Sequence, residues 1–284
     1  MLAEADPLTL IRLFSLYPVS SLKEKWPDQK KKTEAATWAA GNLAAAEIKQ
    51  FLNEYFSCCK QDIYLFSHQN DINDLPAFRL PDSEKLLEVE VGRNKHLLYL
   101  AEVEYHVVFT DPLGEDRIKF LWPIRLEFSR EHLIARFVMM EKDIRVYFGP
   151  GASRTVGRSL TETIILSHLK NVLEDLKPLD INKGIKYLWG KDRFDGVRMK
   201  YRKPDSMVTE AMDAGKGIKH TYPETYRALI RSPLYDSIFK MDAEDTTSIK
   251  AFSSAPALGY LGFSAYSESR GDTDNFVSEV IGHN

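Results

Sequence analysis

Along the first fifth of the chain apolar residues recur at helical spacing. Asp6 and Pro7 form an N-cap with proline at the first helical position; Leu8, Leu10, Ile11, Leu13, Phe14 and Tyr17 supply the apolar stripe, and Pro18 closes it. A short helix is expected over 20–26 and a longer one over 30–40, broken by Gly41 and Asn42. A fourth runs over 43–56, with Leu43, Phe51, Leu52, Tyr55 and Phe56 as its buried stripe. Residues 62–67 read as a short strand, and the Asn, Asp and Pro of 70–81 as a connector between a helical domain, 1–70, and a second domain, 82–284.

The period then changes from helical to two. Leu97, Tyr99, Ala101, Val103, Tyr105, Val107 and Phe109 alternate with His96, Glu102, Glu104 and His106, and Ile118, Phe120, Trp122, Ile124, Leu126 and Phe128 alternate with Arg117, Lys119, Arg125 and Glu127. With a turn at 111–114, the two runs make a hairpin, expected to pair Phe109 with Ile118, Tyr105 with Trp122 and Glu102 with Arg125. Pro123 lacks an amide donor and predicts an edge or bulge. Strands are expected at 133–140 and 144–148. A Gly-rich loop over 149–158 then leads to a helix capped by Ser159 and Glu162, and a second helix runs from Asp180 to Trp189. Beyond these come a basic strand at 197–201, helices at 206–214 and 223–231, strands at 237–241 and 258–266, and a helix from Asp272. Phe276, Val277, Val280 and Ile281 near the end have no C-cap after them, which implies a chain cut short or an end packed on a partner. The fold class is α+β, an N-terminal helical bundle followed by a mostly antiparallel sheet packed against helices.

Composition narrows the class without naming a function. With 284 residues, 44% hydrophobic and 28% charged, the chain is neither low-complexity nor collagen-like. The only cysteines, Cys58 and Cys59, are adjacent; they lack metal-ligand spacing and predict a reducing cytoplasmic compartment, or a nuclear one in a eukaryote. The opening residues are acidic rather than basic, so no signal peptide is expected, and no apolar run reaches the ~20 residues of a membrane span.

Net charge is −3, but its distribution is uneven. Residues 182–231 hold twelve basic against six acidic side chains, +6, while 232–284 hold three against eight, −5. Tyr187, Trp189, Phe194, Tyr201, Tyr222 and Tyr226 interleave with the basic residues, a pairing that suits phosphates and exposed bases. Candidate contacts are Lys191, Arg193, Arg198, Lys200, Arg202, Lys203, Lys216 and Lys219, with Arg198, Lys200 and Arg202 on one face of the basic strand.

A further candidate lies in the sequence Leu22-Lys23-Glu24-Lys25-Trp26-Pro27 followed by Lys30-Lys31-Lys32-Thr33-Glu34. Over about 19–40 it resembles the SAP type of helix–extended–helix DNA-binding motif. The Leu-Lys-Glu start and the lysines before a Glu match, whereas the Gly before those lysines is missing and Ala and Trp replace the usual leucines. The resemblance implies phosphate contacts by Lys30, Lys31 and Lys32 near a helix N-terminus. A death-fold-like interaction bundle suits the same helices.

Glu102, Glu104 and His106 share a strand face beside Arg125 and Arg136, where carboxylates and an imidazole would suit a divalent metal in a nuclease or phosphoesterase. The neighbouring strand lacks the Glu-x-Lys of restriction-type nucleases, and no P-loop, dinucleotide or serine-hydrolase motif occurs. The leading expectation is therefore a non-enzymatic nucleic-acid-binding or adaptor module, without cofactor or resident metal. It would bind DNA in preference to RNA, with a protein partner and no membrane. The alternatives are the metal-dependent enzyme and a structural subunit of an assembly.

Overall fold

The computed structural model of the protein describes residues 2, 5–69, 86–91, 95–173, 175–203, 206–211, 217–242 and 247–284. Four helices come first: α1 (Pro7–Phe14), α2 (Val19–Lys25), α3 (Lys32–Asn42) and α4 (Ala45–Glu54). Then follow β1 (Gln61–Ser67), β2 (Leu86–Val91), β3 (Lys95–Thr110), β4 (Leu113–Phe128), β5 (His132–Val138), α5 (Arg145–Phe148), β6 (Ala152–Arg158), α6 (Glu162–Val172) and β7 (Lys177–Pro178). The remainder comprises α7 (Asn182–Gly190), β8 (Phe194–Lys203), β9 (Ser206–Ala211), α8 (Ile218–Thr221), α9 (Pro223–Arg231), β10 (Leu234–Met241), β11 (Ala251–Ala255), β12 (Tyr260–Phe263) and α10 (Asp272–Gly282). The fold is α+β, with helices preceding a large antiparallel sheet. Strand order is β2-β3-β4-β5-β1-β12-β11-β10-β8-β9, with β6 on β3 and β7 on β1.

Local chemistry explains the ends of the elements. Asp6 accepts a hydrogen bond from the Thr9 amide at 3.0 Å, capping α1 ahead of the buried Leu10, Leu13 and Phe14. The hairpin of β3 and β4 turns at Asp111 and Pro112 alone, so Thr110 meets Leu113, Tyr105 meets Ile118 and Ala101 meets Trp122. This register is four residues tighter than expected, because the polar run Glu115, Asp116 and Arg117 stays in the ladder instead of looping out. An even shift leaves the buried faces unchanged but sets Glu102 opposite Leu121, not Arg125. Pro123 sits where pairing with β5 begins, at Ile124. On the other side of Pro123 the β4 edge is covered by α1, whose Arg12 donates to the Lys119 carbonyl at 3.4 Å.

Other expected elements change type. Arg145–Phe148, in the expected strand at 144–148, form the short helix α5, with the adjacent Tyr147 and Phe148 both buried in the core. The Gly-rich segment 149–158 contains strand β6, and Ser159 pairs with Glu104 of β3, so α6 is capped instead by Thr161, which accepts from the Ile164 amide. Residues 206–211 form a strand paired with β8, where tertiary pairing overrides helix-favouring Met, Glu and Ala. Only Tyr260–Phe263 of the expected strand at 258–266 pairs.

Two hydrophobic clusters flank the sheet. One joins α1–α4 to β3, β4, β5, α5 and α6; the other joins α7, α9 and α10 to β8, β10, β11 and β12. Strand β1 serves both, with Phe66 in the first and Ile63 and Leu65 in the second. The connector expected at 70–81 lies outside the described residues, and the helices before it share their core with the sheet. Phe276, Val277 and Val280 of α10 are buried in the second cluster, so the apolar set expected to face a partner is used within the chain.

Candidate nucleic-acid interface

Strand β8 divides its side chains between two environments. Met199 and Tyr201 are buried in the second cluster, beneath α7, whereas Arg198 and Lys200 between and beside them are exposed on the opposite face. Strand β10 repeats the pattern: Phe239 and Met241 point inward, and Asp236, Ile238 and Lys240 outward. In β11, Phe252 is buried and Ala251, Ser253 and Ala255 are only partly so. Among the described residues, the helices that cover this half of the sheet lie on one side only, and none covers the other side from β8 to β11.

Registers carry this open face on to two tyrosines. Ile238 pairs with Ser253, Ser253 with Gly262, and Gly262 with Asp62; Ala255 pairs with Tyr260, and Tyr260 with Tyr64. Tyr64 and Tyr260 stand 5.3 Å apart, ring centre to ring centre, and are half-buried. The Tyr260 hydroxyl donates to Asp62 Oδ1 at 2.5 Å. Burial raises the Asp62 carboxyl above its ordinary range, opposed by that hydrogen bond and reinforced by nearby Glu162. Burial likewise moves the Tyr64 hydroxyl up to about 12. At this border Arg158 donates to Tyr105 and Glu162 and stacks 4.1 Å from the Trp122 ring centre, closing the face against α6.

The basic run of the sequence is therefore split by the sheet, and Lys191, Arg193 and Lys219 do not share a surface with Arg198 and Lys200. Lys191 is exposed on the helix side, 5.6 Å from the Tyr187 ring centre. Arg193 is tied to Glu279 at 2.7 Å, and Lys219 to Asp192 at 2.5 Å and to the Trp189 and Gly190 carbonyls. These two cations hold α7, α8 and α10 together and are not free for phosphate. Arg198 and Lys200 form no ion pair among the described residues. Arg202 and Lys203 follow on β8, in register with Met207 and Ser206, and Lys216 lies outside the described residues.

Near the N-terminus Lys30 and Lys31 are exposed, and Glu34 accepts the Lys31 amide at 3.1 Å as α3 begins. Lys32 turns inward to the Tyr266 hydroxyl at 2.9 Å, so it does not offer the phosphate contact that the SAP resemblance implies.

Glu102, Glu104 and His106 do share an exposed strand face, but as a ladder of ion pairs. Lys119 lies 2.9 Å from Glu102, and Arg117 and His106 each 3.6 Å from Glu104. Among the described residues no group of three His, Cys, Asp or Glu is placed to hold a metal ion. The second alternation, in 234–241, was readable; its pairing with β8 was not, so Lys240, Tyr64 and Tyr260 escaped the sequence reading. A strand's pattern names its exposed face but not its neighbours.

No family model, curated protein or solved structure matches the chain. Among the described residues no helix is long and apolar enough to cross a membrane.

Proposed function

We propose that the protein is a non-enzymatic nucleic-acid-binding module that lays a single strand across the open half of its sheet. Phosphates would meet Arg198, Lys200 and Lys240, and bases would stack at the border formed by Tyr64 and Tyr260. The observation that carries this reading is the pair Arg198 and Lys200, both exposed and, among the described residues, in no ion pair, even with Asp236 across from Lys200, on a sheet half whose other side is packed. From β8 to β12 is three strand spacings, roughly 15 Å, which spans several nucleotides of an extended strand. A flat sheet projects nothing into a duplex groove, whereas splayed bases can lie on aromatic rings.

Fluorescence anisotropy with labelled single-stranded DNA, single-stranded RNA and duplex DNA over a salt series tests this. Single strands should bind in preference to duplex, and affinity should fall as salt rises. The double substitution Arg198→Glu and Lys200→Glu should weaken binding at least tenfold and reduce the log–log salt slope by about 1.4, two phosphate contacts at about 0.7 each. Binding that ignores salt, or survives the double reversal, refutes the proposal.

A further inference from the structure

The pairings of five strands line up one row of residues across the open side of the sheet. Arg198 of β8 pairs with Ile238 of β10, Ile238 with Ser253 of β11, Ser253 with Gly262 of β12, and Gly262 with Asp62 of β1. Four strand spacings, roughly 19 Å, separate the cation at one end of the row from the carboxylate at the other. Between them Gly262 has no side chain, and an added Cβ would collide with the Tyr260 hydroxyl and Ser253 Oγ. The Tyr260 ring uses that space: it folds back over Gly262, and its hydroxyl reaches Asp62 Oδ1 at 2.5 Å.

That hydrogen bond orients the carboxylate without saturating it. An ionised carboxylate accepts at about four lone-pair sites. Tyr260 occupies one of them, and Asp62 Oδ2 has no hydrogen-bond partner among the described residues. Arg158, the cation near enough to favour the Asp62 charge, bonds to Glu162 at 3.1 Å and to Tyr105 at 3.2 Å instead. Tyr64 and Tyr260 stand one step along the same face of β1 and β12, their rings inclined 49° to each other. The row therefore ends in a half-buried, oriented pair of acceptor oxygens beside two aromatic rings.

We propose that Asp62 reads guanine in the bound single strand, an inference that rests on the function proposed above. Guanine alone among the common bases carries two adjacent donors, N1–H and the N2 amine, on its Watson–Crick edge, and these match the two oxygens of a carboxylate. Adenine and cytosine present a ring-nitrogen acceptor there, and thymine and uracil flank their one N–H with carbonyl oxygens, so each sets an acceptor against Asp62. A guanine stacked on Tyr64 or Tyr260 is held by its edge as well as its face, while phosphates farther along the row meet Arg198.

The test uses the full chain and labelled oligothymidine strands of equal length, each carrying one central dG, dA or deoxyinosine; deoxyinosine keeps N1–H but lacks the N2 amine. Anisotropy should show the dG strand bound about tenfold tighter than the dA strand, the scale of one good bidentate pair, with deoxyinosine between them. Asp62→Asn keeps the size of the side chain and an oxygen to accept from Tyr260. It should bring all three strands to the affinity of the dA strand, while plain oligothymidine binds at least as tightly as before. Free dGMP, which lacks the neighbouring phosphates, should displace the labelled dG strand far less effectively than the same strand unlabelled. Equal affinities for dG and dA, a preference that survives Asp62→Asn, or displacement by dGMP as effective as by the strand overturns the guanine assignment and leaves single-strand binding in place. No binding of any single strand overturns both.

Discussion

Arg136 is buried to 1% exposure, and its guanidinium reaches Glu127 at 2.8 Å and Asp274 of α10 at 3.0 Å, while Arg125 reaches Glu127 at 3.1 Å. Two cations thus face two carboxylates across β4, β5 and α10. Burial alone would raise the Glu127 carboxyl, but Arg136 and Arg125 outweigh it and hold the group below 4.5. Replacing Arg136 with Met strands Asp274 and leaves the buried Glu127 with Arg125 alone, and should cost about 3–5 kcal/mol, read from urea unfolding. The pH dependence has a definite sign. The folded state holds the Glu127 proton less tightly than the unfolded chain, so this contribution is present above pH 4.5 and is lost as pH falls through the lower folded value. In the Arg136→Met protein that acid-side loss should shrink, which unfolding midpoints between pH 3 and 6 would register. Arg136 was visible in the sequence only as a polar position beside the acidic strand. Alternation distinguishes two faces of a sheet, but it does not say that both are covered.

At the level of elements, close approach and capping set the sensitive points. Gly184 of α7 lies against α10, where an added Cβ would collide with the Val280 carbonyl oxygen. Gly184→Ala should therefore destabilise the protein by about 1–3 kcal/mol, despite the better helix propensity of alanine, as thermal unfolding would report. Thr161→Ala removes the cap of α6 and should cost about 1 kcal/mol in the same assay. Helices opened by a proline, such as α1 and α9, were legible because their signals are local. The β3–β4 hairpin was legible in its faces but not its register, since nothing in the alternation shows how far the ladder continues into Glu115, Asp116 and Arg117. Strand β9 was missed because its conformation is set by pairing with β8, not by its own residues. The same reason hid the proposed interface: Arg198, Lys200 and Arg202 were read as one face of a strand, yet Lys240, Tyr64 and Tyr260 are brought to the Arg198 and Lys200 side only through strands distant in sequence.

Across the whole molecule the two hydrophobic clusters are joined by one sheet. Trp122 is buried in the first and Trp189 in the second, each at 0% exposure. Variants that retain only one of these two tryptophans, in a background lacking Trp26 and Trp38, should unfold at coincident urea midpoints; separated midpoints would show independent units. Charge at this scale divides as the layers do, with Arg193 and Lys219 spent on fastening helices and Arg198 and Lys200 left on the open side.

Strand β1 lies between β5 and β12, and its hydrogen-bonding partner Tyr260 follows Tyr64 by almost two hundred residues. During synthesis on the ribosome, one margin of β1 must therefore remain without its partner until β12, Tyr260–Phe263, has emerged. That interval leaves an apolar strand available to chance pairing, which makes the nascent protein a natural client for chaperones and its refolding slow compared with helical proteins of similar size.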